Sequence, residues 1–234
     1  MHITVGDVVL PGDLIGEQDE LKKVVYGPGL RVHQNQIYAV TSGIFKKKPD
    51  ANYYYVDTFH QKRYVPVRSE DVLGVVTNKS GDIFKVDIGS SEQASLSYLA
   101  FEGATKKNRP DIQVGDLVFA KLVVASRDME PELVCVDSYG KKGKLGPLPE
   151  GGFVFSCSLN LVRKILKKDY PLFNVLGKDI SYEISVGMNG KVWVKAATIP
   201  QTIAVCNAIL AAEHKTKDEI DEMSKQILKM LAYC

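Results

Sequence analysis

Four aspartates, Asp82, Asp87, Asp111 and Asp116, stand in turn-rich sequence. A nuclease would need carboxylates clustered on a metal, or an acid–base pair poised near a phosphate. Each of these four instead keeps company with glycine or proline, and none has a second acidic residue at metal-ligand spacing. Asp87 in Asp87-Ile88-Gly89 reads as an acceptor that organises a turn. The cysteines Cys135, Cys157, Cys206 and Cys234 and the histidines His2, His33, His60 and His214 are dispersed. No C-x-x-C pair or metal-ligand pattern forms, so no zinc or disulfide framework is expected. Cys135, Cys157 and Cys206 lie in apolar runs and read as buried thiols of a reducing compartment. There is no Walker-type phosphate loop and no activated Ser or Cys arrangement. The expectation is a protein with no catalytic residue, no metal and no cofactor.

The chemistry left is binding. Lys106, Lys107, Asn108 and Arg109 fall together between Gly103 and Pro110. Such a cluster can hold phosphate without reading bases. Phe84, Tyr98 and Phe101 are the aromatic candidates, because single-stranded bases stack on exposed rings. Phe84 also shares an alternating face with Val86 and Ile88, so core burial competes with stacking there. The net charge is only +2, so any nucleic-acid affinity must come from such a local patch. Lys46-Lys47-Lys48 reads as a solvated loop between two strands.

These side chains need elements to position them. Val72–Thr77, Ile83–Ile88, Ala94–Leu99, Leu117–Val124 and Leu133–Asp137 are five short β runs with turn residues between them. Five such strands suit a closed oligonucleotide-binding barrel, with the basic loop joining strands three and four at its rim. Before it, the chain to Pro66 is β-rich, with strands at Asp7–Leu10, Val24–Tyr26, Ile37–Thr41 and Tyr53–Thr58. Pro11-Gly12-Asp13 forms a sharp turn. Gly140–Gly152, carrying Lys141, Lys142 and Lys144, is a basic connection. Beyond it come a strand at Phe153–Ser156 and a helix with Leu159, Val162 and Leu166 on one face. A second helix, Leu172–Leu176, ends at Gly177. A hairpin turns at Gly187-Met188-Asn189-Gly190, and a helix over Pro200–Glu213 packs through Ile203, Cys206 and Leu210. The order β-α-α-β-β-α is that of a KH domain. Its usual G-x-x-G clamp between the first two helices is missing: Lys167–Pro171 has no glycine. A final helix, capped by Thr216 with Glu219, carries Ile220, Met223, Ile227 and Leu231 and is expected on the KH sheet. No apolar run approaches the ~20 residues of a membrane span and no signal peptide stands at the start, so a soluble intracellular protein is expected.

The barrel segment looks like an S1 domain. Ser80–Val118 (SGDIFKVDIGSSEQASLSYLAFEGATKKNRPDIQVGDLV) resembles the S1/KH cap subunits of the eukaryotic RNA exosome. VVLPGD (Val8–Asp13), YGPGLR (Tyr26–Arg31), QKRYVPV (Gln61–Val67) and GMNG (Gly187–Gly190) fit in the same order. Of the two sibling branches, VVLPGD and KKNRP (Lys106–Pro110) favour component three over component two. The resemblance implies a mainly β chain with an α+β C-terminal part. Its domains would be an N-terminal β-domain (1–66), an S1 barrel (67–142) and a KH domain (147–234). Pro11, Gly12 and Asp13 would dock on a ring of RNase PH-like subunits. The G-x-N-G turn, with Gly187, Asn189 and Gly190 beside Trp193, would pack against the S1 domain. Single-stranded RNA and other S1/KH cap subunits would be the partners, in nucleus, nucleolus and cytoplasm. A free-standing RNA-binding regulator is the alternative of a different class. Many S1 domains carry a histidine near the third strand; Leu96 and Ser97 stand there, so part of the usual stacking platform is absent.

Overall fold

The computed structural model describes residues 3–17, 24–48, 52–58, 63–126, 128–167, 170–215 and 217–231. The chain forms two compact units, Met1–His60 and Gln61–Cys234. The first holds seven described strands: β1 (Val8–Val9), β2 (Leu14–Glu17), β3 (Val25–Tyr26), β4 (Leu30–His33), β5 (Gln36–Ala39), β6 (Gly43–Lys47) and β7 (Tyr53–Asp57). They make one sheet ordered β1-β6-β7-β3 and another ordered β2-β5-β4. Val9, Ala39, Phe45 and Val56 are its buried centre. Lys46 and Lys47 are not in a loop as expected. They pair across β6 and β7 with Tyr55 and Tyr54. Lys46 Nζ meets Asp57 Oδ2 at 2.5 Å, and Lys47 Nζ lies 5.5 Å from the Tyr54 ring centre. A strand places such long side chains over aromatic and acidic neighbours, which a lysine triplet does not reveal.

The second unit begins with the barrel: β8 (Asp71–Ser80), β9 (Ile83–Asp87), β10 (Ala94–Ser97), β11 (Leu117–Val124) and β12 (Glu132–Val134). The order β12-β10-β9-β8-β11 closes through β11–β12. Only β10–β12 is parallel among these pairs. Register shifts between Val76 and Asn78 and between Leu122 and Val124 let the sheet curl shut. The alternation in Ile83–Ile88 holds: Phe84, Val86 and Ile88 are buried. The third strand is shorter than expected. Ser97 Oγ accepts from Leu99 N–H at 3.3 Å and starts a 3-10 turn over Tyr98–Ala100. β13 (Gly146–Pro147) adds to β11 from within the basic connection.

The KH part contains β14 (Phe153–Ser156), α1 (Leu159–Ile165), α2 (Pro171–Asp179), β15 (Tyr182–Val186), β16 (Lys191–Ala196), α3 (Ile199–Ala211) and α4 (Lys217–Leu231). The sheet is antiparallel, ordered β14-β16-β15. Ser158 caps α1 by accepting from Leu161 N–H at 3.0 Å. Three helical details differ from expectation. Helix α2 runs through Gly177 to Asp179, because a lone glycine costs a helix only ~1 kcal/mol. Helix α3 buries Val205, Cys206 and Ile209, while Ile203 and Leu210 are 53% and 41% exposed. Helix α4 packs on α2 and α3 rather than on the sheet. Thr216 lies outside the described residues. Cys135, Cys157 and Cys206 are buried free thiols, and burial pushes Cys135 and Cys157 up to about 12. Among the described residues no helix is long and apolar enough to cross a membrane.

Candidate nucleic-acid interface

The basic loop is a built structure at the barrel rim. Thr105 N–H donates to Asn108 C=O at 3.0 Å, and Asn108 N–H returns to Thr105 Oγ1 at 3.0 Å. Asn108 Nδ2 donates to Gly103 C=O at 3.3 Å, so this amide is engaged in holding the loop. Arg109 is tethered too. Its guanidinium meets Asp82 Oδ1 at 3.1 Å and lies 4.8 Å from the Tyr98 ring centre. Lys106 and Lys107 are exposed, and neither has a partner among the described residues. Two cations are thus held outward by a loop whose other polar groups are occupied.

Two aromatic candidates must be corrected. Phe84 is 3% exposed and belongs to the barrel core, with Lys79 Nζ 5.4 Å from its ring centre. Tyr98 is 5% exposed, under Arg109. Neither ring offers a face to a base. Phe84 followed its strand's inward alternation, and the 3-10 turn swings Tyr98 inward past the end of β10. Phe101 is half-buried against the same core.

The carboxylates are committed to turns. Asp82 pairs with Arg109. Asp111 Oδ1 accepts from Gln113 Nε2 at 3.0 Å, and Asp116 Oδ2 accepts from Gln113 N–H at 2.8 Å. Among the described residues no group of three His, Cys, Asp or Glu side chains could hold a metal ion.

The GMNG turn enters the barrel wall. Asn189 is 8% exposed. Its Nδ2 donates to Leu73 C=O and Ile88 C=O, both at 2.8 Å, and its Oδ1 accepts from Leu73 N–H at 3.2 Å. Met188 N–H donates to Asp71 C=O at 2.9 Å. A β-carbon on Gly187 would sit 2.7 Å from Leu73 N, and one on Gly190, at φ +83°, would sit 2.7 Å from Cys157 O. Only glycine allows both approaches. Trp193, 2% exposed, joins the barrel's core cluster although it stands on the KH strand β16. Lys191 is a member of this contact that sequence reasoning did not single out. Its Nζ donates to Asp87 C=O at 3.1 Å and lies 3.4 Å from Asp87 Oδ2. Its place one residue after Asn-Gly, at the start of the return strand, was the available signal.

The Gly89 N–H, donating to Asp87 Oδ1 at 2.8 Å, holds the Asp87 carboxyl below its ordinary 3.8, and Lys191 adds to the effect. A folded-state value below the unfolded one stabilises at pH above the unfolded value, and the contribution is lost as pH falls through the lowered one. The melting-temperature gap between wild type and Asp87→Asn should therefore be widest near neutrality and shrink on acidification below the ordinary carboxylate range. A pH series of thermal melts checks this, and a gap that is constant with pH would contradict it.

A closed five-stranded barrel packed through the GMNG turn and Trp193 on a βααββα domain is an S1/KH architecture. Residues 64–146 match the family described as "Exosome complex component RRP40, S1 domain", and residues 152–200 match a KH domain family. The chain is 44% identical to human exosome complex component RRP40 over 97% of its own length and 91% of the relative's. The Drosophila melanogaster protein of that name is 47% identical over 92% and 93%. That of Saccharomyces cerevisiae is 36% identical over 94% and 96%. A crystal structure described as an exosome complex RNA-binding protein covers 72% of this chain and 99% of its own, with a TM-score of 0.59. At 22% identity that likeness shows the fold. The chain belongs to the exosome complex component RRP40 family.

Proposed function

We propose that this chain is a non-catalytic, RNA-binding cap subunit of the RNA exosome. It sits on a ring of RNase PH-like subunits beside other S1/KH cap subunits, in nucleus, nucleolus and cytoplasm. It stabilises that ring and guides single-stranded RNA toward the channel for 3′-to-5′ processing and decay, including ribosomal RNA maturation. Membership of a family whose proteins are named as exosome components supports the assembly. The outward, unpartnered Lys106 and Lys107 carry the RNA reading. Ring docking falls to the Pro11-Gly12-Asp13 turn of the first unit. There Asp13 Oδ2 accepts from Leu10 N–H at 2.7 Å, and Gly12 N–H donates to Ala39 C=O at 2.8 Å. Val8, Leu10, Leu14 and Val40 are 73%, 57%, 43% and 50% exposed nearby in sequence or pairing. Exposed apolar groups of this kind suit a protein partner.

The test is crosslinking of labelled single-stranded RNA to the chain assembled with its ring, comparing wild type with Lys106→Ala/Lys107→Ala. Crosslinking should fall several-fold with assembly intact. Unchanged crosslinking would reduce the loop to a solvated one and leave a scaffold. Failure to co-purify with ring proteins would instead favour a free-standing RNA-binding regulator.

A further inference from the structure

The buried Phe84 and Tyr98 leave Lys106 and Lys107 with no exposed ring of that pair beside them for a base, yet the barrel has a prominent exposed ring elsewhere. Tyr139 is 86% exposed. It stands between β12 and β13 in the stretch that carries Lys141, Lys142 and Lys144. We infer that this second loop is an RNA-binding element of the same rim, with Tyr139 as its base-stacking platform and Lys141 and Lys144 as phosphate contacts. The inference rests on the RNA-binding reading of the Lys106–Lys107 loop and extends it.

Three observations carry it. First, the two loops adjoin. Glu102 Oε2 accepts from Lys142 N–H at 2.7 Å, while the next residue, Gly103, accepts from Asn108 Nδ2 at 3.3 Å. One dipeptide therefore ties both loops. Second, the loop is braced. Asp137 Oδ1 accepts from Tyr139 N–H at 2.8 Å and from Lys141 N–H at 2.9 Å. Asp137 N–H donates to Lys141 C=O at 2.8 Å, and Gly140 N–H donates to Asp137 C=O at 3.0 Å. The Tyr139 backbone is held while its ring stands in solvent, so stacking must order the side chain but not the loop. Third, the charges are available. Lys141 and Lys144 are exposed, and their ammonium groups have no partner among the described residues. The carboxylates of Glu102 and Asp137 accept from backbone N–H groups instead. A sequence-tolerant single-strand site pairs a cationic track with an exposed ring, and this loop supplies both.

The test is fluorescence anisotropy of a labelled oligouridylate of about 12 nucleotides with the full chain across a salt series. Tyr139→Ala should weaken binding about ten-fold with an unchanged salt slope, because stacking releases no counterions. Tyr139→Phe should bind like wild type. Lys141→Ala/Lys144→Ala should lower the salt slope by about 1.4. If Lys106→Ala/Lys107→Ala weakens binding while Tyr139→Ala matches wild type, this inference fails and the RNA-binding reading stands. If no variant changes binding, both fail. A Tyr139→Phe protein as weak as Tyr139→Ala would overturn stacking in favour of a hydroxyl contact.

Discussion

Trp193→Ala should lower the stability of the second unit by about 3–5 kcal/mol, the usual cost of emptying a large aromatic site. For a unit of this size that is roughly 6–20 °C in melting temperature. The expectation follows from strand β16, which is buried on both faces. Val192 and Val194 lie in the KH core with the helices, and Trp193 between them lies in the barrel's core cluster. One indole thus fills space in a core built mainly by another domain. Its loss should both destabilise the unit and loosen S1 from KH. Circular dichroism melts read the first effect, and protease sensitivity of the 146–153 connection reads the second. Trp193→Phe, which keeps much of the apolar volume, should lose distinctly less. A Trp193→Ala protein melting within about 2 °C of wild type, less than a 1 kcal/mol loss would give, would show that the indole fills no essential space.

Much of this architecture was legible in the sequence because the patterns that encode it are local. Ile83–Ile88 alternates strictly, and its inward set is the observed buried set. Asn189-Gly190 marks the hairpin, and the β-α-α-β-β-α order follows from periodicity and turn residues. What escaped was short or symmetric. β2 and β4 have four residues each and β13 has two, too few for a period to register. Helix α3 is apolar around much of its circumference: Ile199, Ile203 and Leu210 compete with Val205, Cys206 and Ile209. Periodicity alone could not choose which stripe faces inward. For α4 the stripe was visible but the surface it meets was not, since α2 and α3 reach it only through tertiary packing.

The RNA rim was legible in its charges and not in its rings. A lysine cluster between Gly103 and Pro110 is exposed almost wherever such a loop is placed. An aromatic residue carries no such guarantee. Phe84 was readable as core from its own strand, whereas Tyr98 depended on where β10 ended and the 3-10 turn began. Tyr139 sits in a stretch whose glycines and lysines read as a connection. That stretch meets Glu102 through Lys142 N–H, a contact across forty residues. No spacing rule reports that.

The Asn189 side chain gives the sharpest test of how S1 and KH are joined. Asn189→Ala should cost roughly 3–5 kcal/mol, since it leaves Leu73 N–H, Leu73 C=O and Ile88 C=O buried without their partners, each worth about 1–3 kcal/mol. Asn189→Asp is the more telling change. It is nearly isosteric and keeps the acceptor for Leu73 N–H. However, it replaces the amide donor with an oxygen facing two carbonyl oxygens now held at 2.8 Å. A buried carboxylate there must repel both or take up a proton. The aspartate should therefore be at least as damaging as alanine at neutral pH and recover on acidification, when a protonated carboxyl can again donate. Trp193 is the sole tryptophan, so its emission reports the same junction. Asn189→Ala and Asn189→Asp should shift it toward the solvent-exposed range before the chain unfolds. An Asn189→Asp protein as stable as wild type at neutral pH, with unshifted emission, would mean that the amide does not donate to the barrel strands. The junction would then rest on the indole together with the Met188 and Lys191 contacts to Asp71 and Asp87, and Trp193→Ala should be the change that loosens it most.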